Sequence, residues 1–276
     1  MKNLSIPLKN ILAEKIFEEC VSGYRDKGKV DNLLQCKEII CRDSNLYDEL
    51  VPKELEKFEK SLLPANITKE KIINVYNEKF VKGPGRKYYN EIKKQAIRNI
   101  CPICGIRQVK TLDHYLPKSQ FPTLSVTPNN LIPACLECNV DKKDDVSLDS
   151  KNVPVHLYFD NIPDDKFLHV TVMDNLEILY YISCPNVEDE GLKARLEKHL
   201  DFYKLHELYS SHAASEIADK IHMWKIALEE FGEDILRLSI DSECRSAEMN
   251  DINSWKSALY RGLVNNFDKL LAYLQL

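Results

Sequence analysis

"CPICGIRQVKTLDHYLPKSQFPTLSVTPNNLIPACLECNVDKK", residues 101–143, carries two CxxC pairs separated by 30 residues, Cys101 with Cys104 and Cys135 with Cys138. A CxxC turn lets two thiolates face one ion, and four thiolates complete the tetrahedral shell of a structural Zn²⁺. Redox CxxC motifs of the thioredoxin kind come singly after a strand, so the doubled pattern reads as a metal site. Such sites contribute about 10–16 kcal/mol of folding free energy in small peptides, which suits a loop-rich segment expected to have little apolar core of its own. The gap is longer than a simple zinc ribbon requires, so something folded must lie between the pairs. At its head stands the dipeptide Asp113-His114.

Working outward, "VKTLDHYL" suits a short strand ending at that dipeptide, and "LPKSQFPTLSVTP" an irregular loop. "NNLIP" suits a second short strand, and the second CxxC opens a helix, "LECNVDKKDD". Residues 9–80 repeat apolar residues at three-four spacing, in "LKNILAEKIFEECV", "VPKELEKFEKSLL" and "TKEKIINVYNEKF", which predicts helices. Thr68 is the expected N-cap of the last of these. After the turn "KGPG", "RKYYNEIKKQAIRN" reads as a basic helix running into Cys101. "KFLHVTVM" and "LEILYYISC" alternate around "DN" as a hairpin. From Gly191 a long helical stretch follows, one helix or two. A polar segment over residues 242–253 then separates it from a final helix, "SWKSALYRGLVNNFDKLLAYL". The fold class is therefore mainly α with a small α+β zinc-stabilised module: residues 1–95 a helical N-terminal region, 96–165 the module, and 166–276 a β-hairpin followed by a helical C-terminal region.

Composition is that of an ordinary globular protein, 44% hydrophobic and 29% charged in 276 residues. No apolar run approaches the ~20 residues that span a bilayer. The N-terminus breaks its apolar residues with charges and lacks a signal-peptide core, so a cytoplasmic location and no membrane partner are expected. Five further cysteines, at 20, 36, 41, 184 and 244, are scattered as small hydrophobes would be. The net charge of −5 argues against general coating of nucleic acid, but the distribution is uneven. Between Lys82 and Gln120 nine basic residues face only Glu91 and Asp113, a net of +7 inside an acidic chain. An anionic partner would meet the protein there. Arg86 and Lys87, at the head of the basic helix, are candidate backbone contacts for nucleic acid. His156 reads as packing rather than cleft lining, His199 and His206 as surface or core residues, and Tyr88-Tyr89 and Tyr180-Tyr181 as core.

The order CxxC, Asp-His at a strand end, Asn-Leu on a second strand, then CxxC-Asn with a following Lys resembles the HNH endonuclease family. Its core is a ββα-metal fold, and the resemblance covers residues 101–143. It implies phosphodiester hydrolysis in nucleic acid, DNA foremost. His114 would be the general base, Asp113 and Asn139 the ligands of a catalytic metal, and Asn130 the brace of the loop that holds the base. Lys142 or Lys143 would contact phosphate. Asn139 stands where the family's name pattern has histidine, and hard oxygen ligands favour Mg²⁺ or Mn²⁺ over zinc there. Two metals are thus expected, thiolate-bound Zn²⁺ for structure and oxygen-bound Mg²⁺ or Mn²⁺ for catalysis.

More loosely, "GRKYYNEIKKQAIRNICPICG" and "NSWKSALYRGL" resemble the HNH component of Septu-type and retron-associated anti-phage defence systems, which works beside an ATPase subunit. That likeness implies an ATPase partner docked on the helical regions. Cleavage of RNA, tRNA in particular, by the same site is the alternative activity. A stand-alone endonuclease and a non-catalytic zinc scaffold also stay open.

Overall fold

The computed structural model describes residues 3–142 and 147–276; Lys143, named above as a phosphate contact, lies outside the described residues. Packing divides the chain into two compact units, one reaching to Asn161 and the other Ile162–Leu276. Among the described residues, 55% are helical and there are two small two-stranded sheets.

The first unit opens with α1 (Ala13–Ser22), α2 (Lys27–Leu34) and α3 (Lys37–Leu50). Three-four spacing turns Ile16, Phe17, Cys20 and Val21 of α1 inward. Asp26 caps α2 by accepting from the Lys29 amide at 3.1 Å. The helical pattern of residues 51–63 does not become a helix. Pro52 disfavours helical backbone at the residue before it, Val51 turns out to φ −83°, ψ 137°, and only a 3₁₀ turn at Leu55–Lys57 follows. Thr68 does precede α4 (Lys69–Asn74), in extended conformation. Its side chain makes no cap bond, and its hydroxyl instead serves the Glu70 carboxylate. From α4 the chain passes directly into a π-helical turn, Val75–Phe80, which carries Val75, Tyr76 and Phe80 into the interior. The basic helix α5 (Arg86–Lys93) is shorter than its sequence pattern. A turn and a short 3₁₀ segment replace its last part, with Arg98 and Asn99 both in the left-handed region (φ 55° and 59°).

Strands β1 (Thr111–His114) and β2 (Leu131–Ala134) pair antiparallel, with Asp113 opposite Ile132 and His114 opposite Leu131. The helix α6 (Leu136–Asp141) follows at once, its N-terminus capped by Cys135. The segment is not poor in core. Leu112, Val126 and Leu131 belong to the same buried cluster as Phe17, Ile40, Ile72, Phe80 and Ile92. The N-terminal helices therefore form the wall against which the strand pair is set.

In the second unit β3 (Leu168–Val172) and β4 (Ile178–Ile182) form the hairpin, followed by α7 (Glu190–Phe202), α8 (Leu205–Asn250), α9 (Trp255–Asn265) and α10 (Phe267–Leu274). Helix α8 is two arms that meet at Gly232, whose φ 81°, ψ 176° only glycine adopts readily. Lys220 and Glu243 form an ion pair at 2.8 Å across that point. A straight helix would hold residues 23 apart some ~35 Å from each other, so the chain reverses there. The polar residues from Ser242 to Asn250 continue the second arm, contrary to the break expected from their composition. Ser242 returns its hydroxyl to the Leu238 carbonyl at 2.8 Å, which lets a polar residue sit within a helix. The final helical stretch is split at Asn266 (φ −120°). Tyr180 is buried, whereas Tyr181 is 44% exposed, because alternation along β4 turns it outward to stack on His169. Among the described residues no helix is long and apolar enough to cross a membrane.

Candidate active site

The Sγ atoms of Cys101, Cys104, Cys135 and Cys138 all lie within 4.8 Å of one another and are buried, and none is in a disulfide. A tetrahedral Zn²⁺ with Zn–S bonds of about 2.3 Å spaces its sulfurs by about 3.8 Å, so the donor set fits one zinc ion. Each pair sits on a tight turn. The Gly105 amide donates to the Cys101 carbonyl at 2.8 Å, and Gly105 itself takes φ +69°, which a side chain would strain. The Arg107 amide donates to Cys104 Sγ at 3.5 Å and the Cys138 amide to Cys135 Sγ at 3.4 Å. Such donors favour the thiolate form that a metal needs.

One end of this clamp leads into β1, whose last two residues point to opposite faces. His114 is almost wholly buried, 7% exposed, with Nε2 2.9 Å from the Ser125 carbonyl. A carbonyl can only accept, so Nε2 carries the hydrogen and Nδ1 keeps its lone pair. The Tyr76 ring packs edge-on against the imidazole at 4.5 Å between centroids. Burial lowers the His114 pKa to about 3. The Lys118 ammonium pushes the same way, and the Ser125 carbonyl opposes them. The resting imidazole is therefore neutral across the physiological range.

On the other face the Asp113 carboxyl is also buried. Its Oδ2 lies 2.9 Å from Lys142 Nζ, and Lys142 donates as well to the His114 carbonyl. Burial pushes the Asp113 pKa up while the Lys142 ammonium pulls it back. Asn139, half-buried on α6, precedes Lys142 by three residues and so shares its helix face. A carboxylate and an amide oxygen are the hard donors that a Mg²⁺-type site uses alongside water and phosphate oxygens; the donor set fits, with Lys142 on the carboxylate.

Asn130 is fully buried and ties the β1–β2 loop together. Its Oδ1 accepts from the Leu116 amide at 2.7 Å, and its Nδ2 donates to the carbonyls of Leu116 at 3.0 Å and Leu124 at 3.2 Å. The same loop is pinned from outside by Asp43 of α3, also fully buried, whose Oδ2 accepts from Thr123 Oγ1 at 2.7 Å. Asp43 additionally holds Ser61. Since Ser125 follows Thr123 and Leu124 directly, both residues hold the carbonyl that orients His114.

The basic candidates divide. Arg86 donates to the Val81 carbonyl at 2.9 Å and lies over the Tyr89 ring. Lys87 pairs with Glu19 at 2.6 Å. None of these contacts is to Asp113, His114 or Lys142. Lys118, half-buried, lies over the Tyr76 ring at 4.7 Å. His156 is core: Nε2 meets the Tyr47 hydroxyl at 2.8 Å, and the ring stacks on Phe159. His206 bridges the Tyr180 carbonyl and Asp201. Sequence reasoning missed Tyr76, Ser125, Asp43 and Thr123. Lys118 was visible within the basic window but not as a neighbour of His114. For the others no sequence signal exists, because their roles come from contacts across 11 to 80 residues.

Residues 101–145 match the family model of HNH endonucleases. The match indicates a nuclease, a hydrolase. Along its length the chain is similar to protein ea31 of Escherichia phage lambda, 28% identical over 242 residues, covering 80% of this chain and 79% of that one. No solved structure matches.

Proposed function

We propose that the protein is a metal-dependent endonuclease that hydrolyses phosphodiester bonds, in DNA foremost, from a ββα-metal site made by β1, β2 and α6. The observation that carries this reading is the His114 hydrogen bond to the Ser125 carbonyl. It aims a neutral imidazole with a free Nδ1 lone pair from the strand that carries the Asp113 carboxylate on its opposite face. His114 Nδ1 takes the proton from a water molecule, and the hydroxide so formed attacks phosphorus as the bond to the leaving oxygen breaks. The nascent imidazolium is held by its Nε2–H bond to Ser125. A phosphate arriving beside His114 also raises the basicity of the ring, because a nearby anion favours the charged form. Asn130 and Asp43 keep the loop in place while this happens. Asp113 and Asn139 would hold Mg²⁺ or Mn²⁺, which supplies Lewis-acid stabilisation of the phosphate and leaving oxygen when bound. The four-cysteine cluster would hold Zn²⁺ as a rigid clamp on the two ends of the site.

By the looser likeness to defence nucleases, the protein acts in the cytoplasm as the effector of an anti-phage complex with an ATPase subunit. The test is to express wild type and His114→Ala with and without an adjacent ATPase. Plasmid DNA, phage DNA and total tRNA are then assayed with Mg²⁺, Mn²⁺ or Zn²⁺ alone. Cleavage of DNA that needs His114 and Mg²⁺ or Mn²⁺ is expected. Cleavage of tRNA alone would move the substrate to RNA, and phenotypes indifferent to His114→Ala would leave a zinc scaffold.

A further inference from the structure

We propose that Lys142 governs entry of the divalent cation, its ammonium and the cation exchanging on the Asp113 carboxylate. This rests on the metal assignment above. Lys142 is 3% exposed and Asp113 4%, so the pair is shielded from water and each is the other's counter-charge at 2.9 Å. The ammonium has three hydrogens to give. One goes to Asp113 and another to the His114 carbonyl, with the Tyr115 ring at 5.5 Å beneath the charge. This is a built site for a cation on the Asp113 side of β1, and the chain fills it with its own residue.

A hard dication takes carboxylate oxygens at about 2.0–2.6 Å. An ammonium already 2.9 Å from the same carboxylate would then stand within a few ångströms of a double positive charge, in an interior where charges are weakly screened. One carboxylate buried this deeply does not hold both, so loading the site requires Lys142 to leave. Its flexible four-carbon stem allows that without moving α6. Because Lys142 and Asn139 share one face of that helix, the displaced ammonium stays on the side where a phosphate would be bound. Lys142 thus serves in turn: it neutralises Asp113 before the cation arrives and is released for substrate afterwards.

The test measures Mn²⁺ binding to the full chain, carrying its zinc, by calorimetry and by the electron paramagnetic resonance signal of free Mn²⁺. Lys142→Gln keeps a hydrogen-bond donor without the charge, Lys142→Met removes both, and Lys142→Arg keeps the charge. Loss of the competing charge should tighten Mn²⁺ by about tenfold or more in the Gln and Met variants, with Arg near wild type. Thermal melts without Mn²⁺ should fall most for Met, whose Asp113 is left unpaired, and added Mn²⁺ should raise the melts of Gln and Met more than that of wild type. Should Met fail to fold, Gln carries the measurement. Mn²⁺ affinity unchanged or weakened in Gln overturns the exchange while leaving the metal assignment intact. Wild-type binding that survives Asp113→Asn overturns both.

Discussion

Asn130→Ala tests the loop that orients His114. The side chain is fully buried and satisfies three backbone groups, the Leu116 amide and the carbonyls of Leu116 and Leu124. Truncation leaves all three in the interior without this partner. The Leu124 carbonyl keeps the Thr127 amide at 3.2 Å, so the Leu116 amide and carbonyl are the two groups orphaned; at about 1–3 kcal/mol each, a loss of about 2–6 kcal/mol is expected. That is a large part of the ~5–15 kcal/mol that holds an ordinary domain together. Both tryptophans, Trp224 and Trp255, lie in the unit Ile162–Leu276, so intrinsic fluorescence watches the wrong part of the chain. The proper readout is amide hydrogen exchange over residues 111–134, where about 3 kcal/mol corresponds to a loss of protection of about 100-fold or more. Asn130→Asp discriminates further. It keeps the acceptor for the Leu116 amide but sets an oxygen against two carbonyls, and should cost at least as much as alanine. Protection within threefold of wild type in both variants would refute the bracing argument.

Zinc content measured by mass spectrometry should fall to background in Cys135→Ser, with loss of protection in both β1 and α6; retained zinc would contradict the four-thiolate site. The depressed His114 pKa fixes a sign. Between pH 6.5 and about 3 the unfolded chain binds a proton that the folded His114 does not, so this group's contribution to stability is present above pH 6.5 and is lost as pH falls. The slope approaches ~1.4 kcal/mol per pH unit. Urea melts followed by circular dichroism at pH 6.5 and 5 should show that loss in wild type and a smaller one in His114→Asn. Gly232→Ala meets no atom within 4 Å, so its penalty is conformational only, about 1–3 kcal/mol. A tryptophan-monitored melt unchanged from wild type would argue against the chain reversal there.

The helices that the sequence pattern exposed best are those with an uninterrupted apolar stripe, such as α1. The failures have local causes. Pro52 stops α3 despite good spacing beyond it, Arg98 and Asn99 turn the chain out of the basic helix, and Ser242 satisfies itself within α8 where polarity suggested a break. The turn Val75–Phe80 reads as ordinary helix in one dimension. Its wider winding, which brings Tyr76 to the imidazole, is decided by what it packs against.

The site divides on the same line. Cysteines three apart meet because one turn joins them, and Asp113 and His114 face opposite ways because strand geometry alternates. These are short-range consequences of covalent structure: they bring the four thiols together and set Asp113 and His114 on opposite faces, whereas the role of His114 as base comes from the family resemblance. The tautomer of His114, the depth of its burial and the counter-ion of Asp113 depend on Ser125, Tyr76 and Lys142, which lie 11, 38 and 29 residues away along the chain from their partners. Lys142 shows the difference most sharply. By sequence it is a basic residue at a helix end, suited to phosphate; only the fold, by closing α6 over β1 and excluding water, makes it the cation on a buried carboxylate.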